Sequence, residues 1–335
     1  MRNAEAAGDN QKVRQYAAEL YQNLFSKFDK HLKNISTLYI APDSFLNLLA
    51  FSRLMPSEGQ YLAQKLELRQ IQTGRDLLRE RPRKNTGSLL ALGGVDFNNF
   101  PDRKGKGDKV ADNFLLAYAD TTRATGRLLP FNPLPESRKK VDKIAKLFTQ
   151  CRNSNYKILT KKDANETALK SLETPPAILH LSTHGFYLSK RESERPMILS
   201  GLALAGANQG IKGKTGKDSE DGILFAMEVL GLNLKGTELV SLSACDTAKG
   251  DIDYSEGVYG LVRAFRIAGA KSVLMTLWSV SDSDARKFMT KFYKNWLQQP
   301  EGTSDPAKAL HETRLSYIRK KADPKIWAPY VLVGK

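Results

Sequence analysis

One stretch constrains this chain more than any other: Leu239-Val240-Ser241-Leu242-Ser243-Ala244-Cys245-Asp246-Thr247. Its apolar opening is rich in Val and Leu and too short for a helix, so it reads as a buried strand. Asp246, Thr247 and then Gly250 are turn chemistry, which puts the lone Cys245 where the strand surfaces. Sixty-one positions earlier stands a counterpart, Ala177-Ile178-Leu179-His180-Leu181-Ser182-Thr183-His184-Gly185, another short apolar strand running out into His-Gly. If the two strands are parallel neighbours, both loops leave the same carboxyl edge of the sheet. A thiol and an imidazole then face each other across a groove, the arrangement for nucleophilic cysteine chemistry.

The rest of the chain alternates strands with helices, which implies a mainly parallel sheet covered on both faces. Val13, Ala17, Leu20, Leu24, Phe28 and Leu32 recur by threes and fours, so residues 11–33 read as an amphipathic helix whose stripe needs a partner. That partner is either the domain that follows or a further helix. Strands follow at 37–42 and 88–94, then a helix at 136–148 with Val141, Ile144, Ala145 and Phe148 on one face. Pro130, Pro133 and Pro135 mark a linker, which divides the chain into 1–35, 36–130 and 131–335. Strands near 157–160 and 272–278, helices over 256–268, 284–297 and 306–320, and a closing strand at 330–333 complete the pattern. Residues 98–109 and 207–221, rich in Gly and Lys, read as surface loops, the second one mobile.

Composition excludes several classes. A hydrophobic share of 41% with 26% charged residues is that of a globular chain, not a disordered one. No apolar run approaches the length of a membrane span, and the polar N-terminus has no signal-peptide core. Two cysteines, Cys151 and Cys245, make no disulfide framework and point to a reducing, cytoplasmic compartment. With four histidines and no CxxC there is no metal spacing and no cofactor motif. The net charge of +16 raises nucleic-acid binding, but Lys and Arg are spread along the whole chain with no aromatic interleaving. A solvated basic surface, suited to an anionic protein partner, accounts for it.

Several segments together resemble the CHAT domain, a caspase-like and separase-like cysteine peptidase family often fused to TPR helices. They are Tyr39-Ile40-Ala41-Pro42-Asp43, Thr73-Gly74-Arg75-Asp76-Leu77-Leu78, Leu134-Pro135-Glu136-Ser137-Arg138-Lys139, the His184 and Cys245 segments, Ser200-Gly201-Leu202-Ala203-Leu204-Ala205-Gly206-Ala207, Glu256-Gly257-Val258-Tyr259-Gly260 and Leu277-Trp278-Ser279-Val280-Ser281-Asp282. They run in family order over about residues 37–335. The resemblance implies a caspase-like α/β fold, with a silent pseudo-caspase half (36–130) before a catalytic half (131–335). The N-terminal helix of residues 1–35 would belong to a longer helical region or to a natural short form. Cys245 would be the nucleophile and His184 its base, with the backbone N–H groups of Gly185 and Cys245 as oxyanion hole. Family members act in bacterial defence, alongside type III CRISPR effectors or on gasdermin-like proteins, so the implied partners are a protein substrate and a regulatory protein.

Each candidate has a plainer reading. A lone Cys is more often a buried thiol, and a loop His more often satisfies a backbone group. His180, deep in its strand, is given no chemical role, and Cys151 is structural. Asp282, with Asp246 second, would supply the carboxylate that receives a basic residue before the cut bond, and Trp278 an apolar wall. The plainer readings are an N-cap for Asp282 and a turn for Asp246. No residue that orients the imidazole is visible. Two other functions stay open: an inactive interaction module on a peptidase fold, and a nucleic-acid binder.

Overall fold

The computed structural model describes residues 9–78, 87–101, 130–187, 200–216, 220–243, 254–300 and 304–334. Cys245, Asp246 and the basic loop positions 102–109 lie outside them. Helix α1 (Asn10–Phe25) is capped by the Asp9 carboxylate, which accepts the Lys12 N–H. Its stripe is covered by this chain's next segment. Tyr21 packs with Phe51, Leu54, Leu62 and Leu66, and Met55 N–H donates to the Ala17 carbonyl at 3.2 Å.

The chain then runs through β1 (Thr37–Ile40), β2 (Glu67–Gln70), β3 (Leu89–Val95), α2 (Pro135–Arg152), β4 (Tyr156–Lys161), α3 (Glu166–Lys170) and β5 (Ile178–Leu181). It continues as β6 (Gly185–Tyr187), β7 (Ser200–Ala203), β8 (Ile223–Phe225), β9 (Leu239–Leu242), α4 (Tyr254–Ile267), β10 (Ser272–Thr276), α5 (Asp282–Leu297), α6 (Pro306–Arg319) and β11 (Tyr330–Gly334), with single-turn helices between. Eight strands make one sheet in the order β1-β2-β11-β10-β9-β5-β3-β4. Neighbours are parallel except β10 and β11, so β1, β2 and β11 run against the other five. β5 and β9 lie side by side inside the sheet with every residue buried, which explains why each is apolar at all but one position, His180 in β5 and Ser241 in β9.

Two expectations change shape here. The sheet does not divide at residue 130, because β3 lies between β5 and β4 while β11 joins β2. The proline-rich run read as a linker is the entry to α2, with Pro135 in the first helical turn, where its missing N–H costs nothing. Helix α2 crosses β3 closely because that strand carries Gly93 and Gly94. A Cβ on Gly93 would sit 2.8 Å from the Ser137 carbonyl oxygen. Gly94, at φ +65°, donates its N–H to Ser137 Oγ at 2.8 Å.

The second change is the segment 207–221, expected to be mobile. Its start is a helical turn, Ala207–Gly210, in which Asn208 is only 7% exposed. The side-chain amide is worth burying because it takes the Phe131 N–H at 2.7 Å and donates to the Phe131 carbonyl at 3.0 Å. Beside it, β6, β7 and β8 form a small antiparallel sheet that sequence reading did not separate out.

The motif Thr73–Leu78 has a structural use. The Asp76 carboxylate accepts from Gln72 N–H and, at 2.8 Å, from Arg266 of α4, and both charges are buried. A paired, hydrogen-bonded burial of this kind is the tolerated form of a charge in a core.

Candidate active site

The parallel register of β5 on β9 runs Ile178↔Leu239, Leu179↔Val240, His180↔Ser241 and Leu181↔Leu242, an offset of sixty-one throughout. Ser243 N–H extends the ladder by donating to the Leu181 carbonyl at 2.9 Å. On the other flank, Ser182 N–H donates to the Leu92 carbonyl of β3 at 2.8 Å. The chain beyond β5 then leaves for the small sheet. Thr183 Oγ1 donates to the Ala203 carbonyl, and Ala203 N–H donates back to the His184 carbonyl at 2.9 Å. His184 is thereby held at the carboxyl edge of the large sheet, at the junction of both sheets.

The imidazole is 2% exposed and lies between Phe97 and Phe131, with ring centroids 5.1 and 5.5 Å away. Its Nε2 sits 2.7 Å from the Asn132 carbonyl oxygen. A carbonyl only accepts, so Nε2 carries the hydrogen and, in the neutral ring, Nδ1 carries the basic lone pair. The orienting partner that sequence reading missed is therefore a backbone atom, in the segment between Pro130 and Pro133. Asn208 is also new: it clamps the Phe131 backbone and donates to the Asn98 side chain at 2.9 Å.

Gly185 opens β6. His184 and Ala203 form a hydrogen-bonded pair, so by antiparallel alternation Gly185 and Leu202 form the pair that is not bonded. The Gly185 N–H thus points away from β7. His180 is fully buried, with Nδ1 3.2 Å from the Tyr293 hydroxyl, and burial together with the Lys140 charge pushes its pKa well down. It stays neutral.

Lys140 is the third residue that sequence reading passed over. It projects from α2 into the core at 1% exposure and donates to Ser243 Oγ at 2.7 Å, two residues before Cys245. Its Nζ lies 3.8 Å from Asp282 Oδ1. Burial brings its pKa down from 10.5 to about 8, against the raising effect of Asp282.

Asp282 is accordingly occupied. Its Oδ2 accepts the Glu136 N–H at 2.7 Å, at the start of α2, while Oδ1 faces Lys140. The carboxylate set at the base of a substrate pocket by sequence reading is turned onto α2 by both oxygens. The N-cap of α5 is not Asp282 but Ser281, whose hydroxyl accepts the Asp284 N–H. Trp278 also has partners: its Nε1 donates to the Lys325 carbonyl at 3.1 Å, and the Arg53 guanidinium lies 4.7 Å from its ring centroid.

Among the described residues one carboxylate group could hold a cation: Glu166, Glu220 and Glu228, with ligand atoms within 4.8 Å. The Lys170 ammonium already sits on all three, at 2.8, 2.9 and 2.7 Å. Burial raises the Glu166 pKa well above the usual range and the neighbouring Asp221 to about 7. Among the described residues no helix is long and apolar enough to cross a membrane.

A largely parallel sheet flanked by helices, with a His-Gly strand end beside its central strand pair, defines a caspase-like α/β fold. The CHAT domain profile matches residues 14–335, and the chain belongs to that family. Tetratricopeptide repeat protein 28 is 31% identical in Mus musculus and 30% identical in Homo sapiens over 112 residues, 33% of this chain. The chain spans about 4% of the length of these curated relatives. Among solved structures, the Arg-specific cysteine proteinase gingipain R is similar at a TM-score of 0.51 and 8% identity, over 97% of this chain and 67% of that one. The Saccharomyces cerevisiae separase–securin complex matches at a TM-score of 0.48 and 16% identity, over 90% of this chain and 16% of that one.

Proposed function

We propose that the chain is a cysteine endopeptidase that cuts protein substrates after a basic residue, with Cys245 and His184 as its dyad. One observation carries the reading. The β5–β9 register offset of sixty-one is also the spacing between His184 and Cys245, so each position stands three residues past the end of one of two paired parallel strands, at the same edge of the sheet. Where the two strands end they lie about 4.8 Å apart, so the segments that follow start as close neighbours.

In this reading His184 Nδ1 takes the Cys245 Sγ proton, while Nε2–H stays on the Asn132 carbonyl and holds the ring in plane. The thiolate attacks the scissile carbonyl carbon, and the oxygen becomes an oxyanion met by the N–H groups of Gly185 and Cys245. The orientation of the Gly185 N–H, away from β7, supports its part. Collapse of the intermediate breaks the C–N bond, and His184 returns its proton to the leaving amine. Water, deprotonated by the same ring, then hydrolyses the thioester. With Asp282 committed to α2, the carboxylate for the basic side chain falls to Asp246. The wider setting also belongs to the proposal: a cytoplasmic enzyme in a regulated defence or signalling pathway, governed by a protein partner such as a TPR region or a CRISPR effector. The TPR-containing relatives support the partner.

The test is cleavage of fluorogenic peptides that differ only before the cut bond. Activity on Arg or Lys peptides, lost in both Cys245→Ala and His184→Ala with unchanged circular dichroism, supports the proposal. Full activity in Cys245→Ala sinks it. A wild-type protein that never cleaves revives the inactive interaction module.

A further inference from the structure

A cavity of about 660 Å³ lies between α1 and the segment joining α6 to β11. Among the described residues its lining carries Arg14, Arg53, Arg319, Lys321 and Lys325 and one carboxylate, Asp323. One wall is apolar, built from Val13, Ala17, Met55 and Ile318. Tyr61 stands within it, its ring 5.1 Å from Trp327. The volume falls in the range of small-molecule sites, roughly 300–1,000 Å³.

We propose that this cavity binds a polyphosphorylated small molecule of nucleotide size. Like charges gathered in a concave, partly apolar site repel one another, and a polyanion relieves that cost while gaining charge-assisted hydrogen bonds. Guanidinium groups match phosphate oxygens in pairs, and a tyrosine hydroxyl adds a neutral donor. The apolar wall suits the ring of a nucleoside. The site also reaches the large sheet: the Arg53 guanidinium lies over Trp278, which follows β10, and Trp278 Nε1 donates to the Lys325 backbone carbonyl.

Two of the three tryptophans, Trp278 and Trp327, therefore report on the site. Titration of the whole chain with ATP and with inorganic tripolyphosphate should give a saturating change in tryptophan fluorescence, with ATP the tighter. Arg14→Glu/Arg319→Glu, both at exposed positions, should weaken binding about tenfold or more. Lys143→Glu/Lys146→Glu, the same charge change on α2, should leave it within about twofold. No saturation by either ligand at millimolar concentration overturns the proposal. Equal weakening in the two double variants overturns it as general electrostatics. Binding of a poly-glutamate decamer without binding of tripolyphosphate overturns it in favour of an acidic peptide. None of these readouts depends on peptidase activity.

Discussion

Replacing Lys140 by Met should stabilise the protein near neutral pH, and the gain should vanish as the solution becomes alkaline. In the native state burial holds the ammonium at a pKa of about 8, against 10.5 in the unfolded chain. At pH 7 both states are protonated and the native state bears the full cost of the buried charge, about 3 kcal/mol from that difference. Between about pH 8 and 10.5 the native lysine has released its proton while the unfolded one still holds it. The unfolded state then binds more protons, and wild-type stability from this group climbs with pH. Methionine keeps most of the volume and removes the charge. It gives up the bond to Ser243, a half-buried hydroxyl, at about 1 kcal/mol. The net gain at pH 7 is about 2 kcal/mol, or roughly 2–5 °C in Tm for a chain of this size. Scanning fluorimetry of both proteins from pH 7 to 10 reads the difference, in which every shared titration cancels. A Met variant that melts below wild type at pH 7, or a difference that stays constant to pH 10, would refute the reasoning.

Asn208→Ala should lower kcat about tenfold with KM little changed, because it frees the segment whose Asn132 carbonyl holds the imidazole. Asn208→Asp keeps the acceptor for Phe131 N–H but not the donor, and should fall between the two in steady-state kinetics. Asp282→Ala should cost about 1–3 kcal/mol by urea denaturation, through the lost cap on Glu136 and the lost neighbour of Lys140, and leave the ratio of Arg to Asp cleavage unchanged. A selective loss of Arg cleavage would return Asp282 to the pocket. Asp221 has a native pKa of about 7 against 3.8, so its contribution is fully present below about pH 4 and is lost as pH rises through 7. Asp221→Asn, which keeps the acceptor for Ile223 N–H, should therefore gain over wild type at pH 8, by up to a few kcal/mol, and show no gain at pH 4.

The strands that precede His184 and Cys245 were readable because burial on both faces demands a mostly apolar run, and β5 and β9 are apolar at three of their four positions. Strand β2 was not. Glu67, Arg69 and Gln70 have little strand character, and Arg69 is held by Asp305, 236 positions away, at 2.7 Å. Asn132 leaves no trace because its backbone carbonyl does the work. Lys140 did leave one: it stands four residues before Ile144, on the apolar stripe of α2, where a lysine has no solvent to reach. Asn208 sits in a run of glycines and lysines that looks like loop, and only the distant Phe131 backbone gives its amide a reason to be buried.

The central claim is that Cys245 is a nucleophile activated by His184. The direct measurement is labelling of the whole chain with an arginyl chloromethyl ketone, followed by intact mass and peptide mapping, in wild type, His184→Ala and Cys245→Ala. With only two cysteines in the chain, the assignment is unambiguous. The account predicts one adduct, on Cys245, formed about a hundredfold or more slowly in His184→Ala and absent in Cys245→Ala. An adduct on Cys151 instead, or a Cys245 adduct formed as fast without His184, would contradict it.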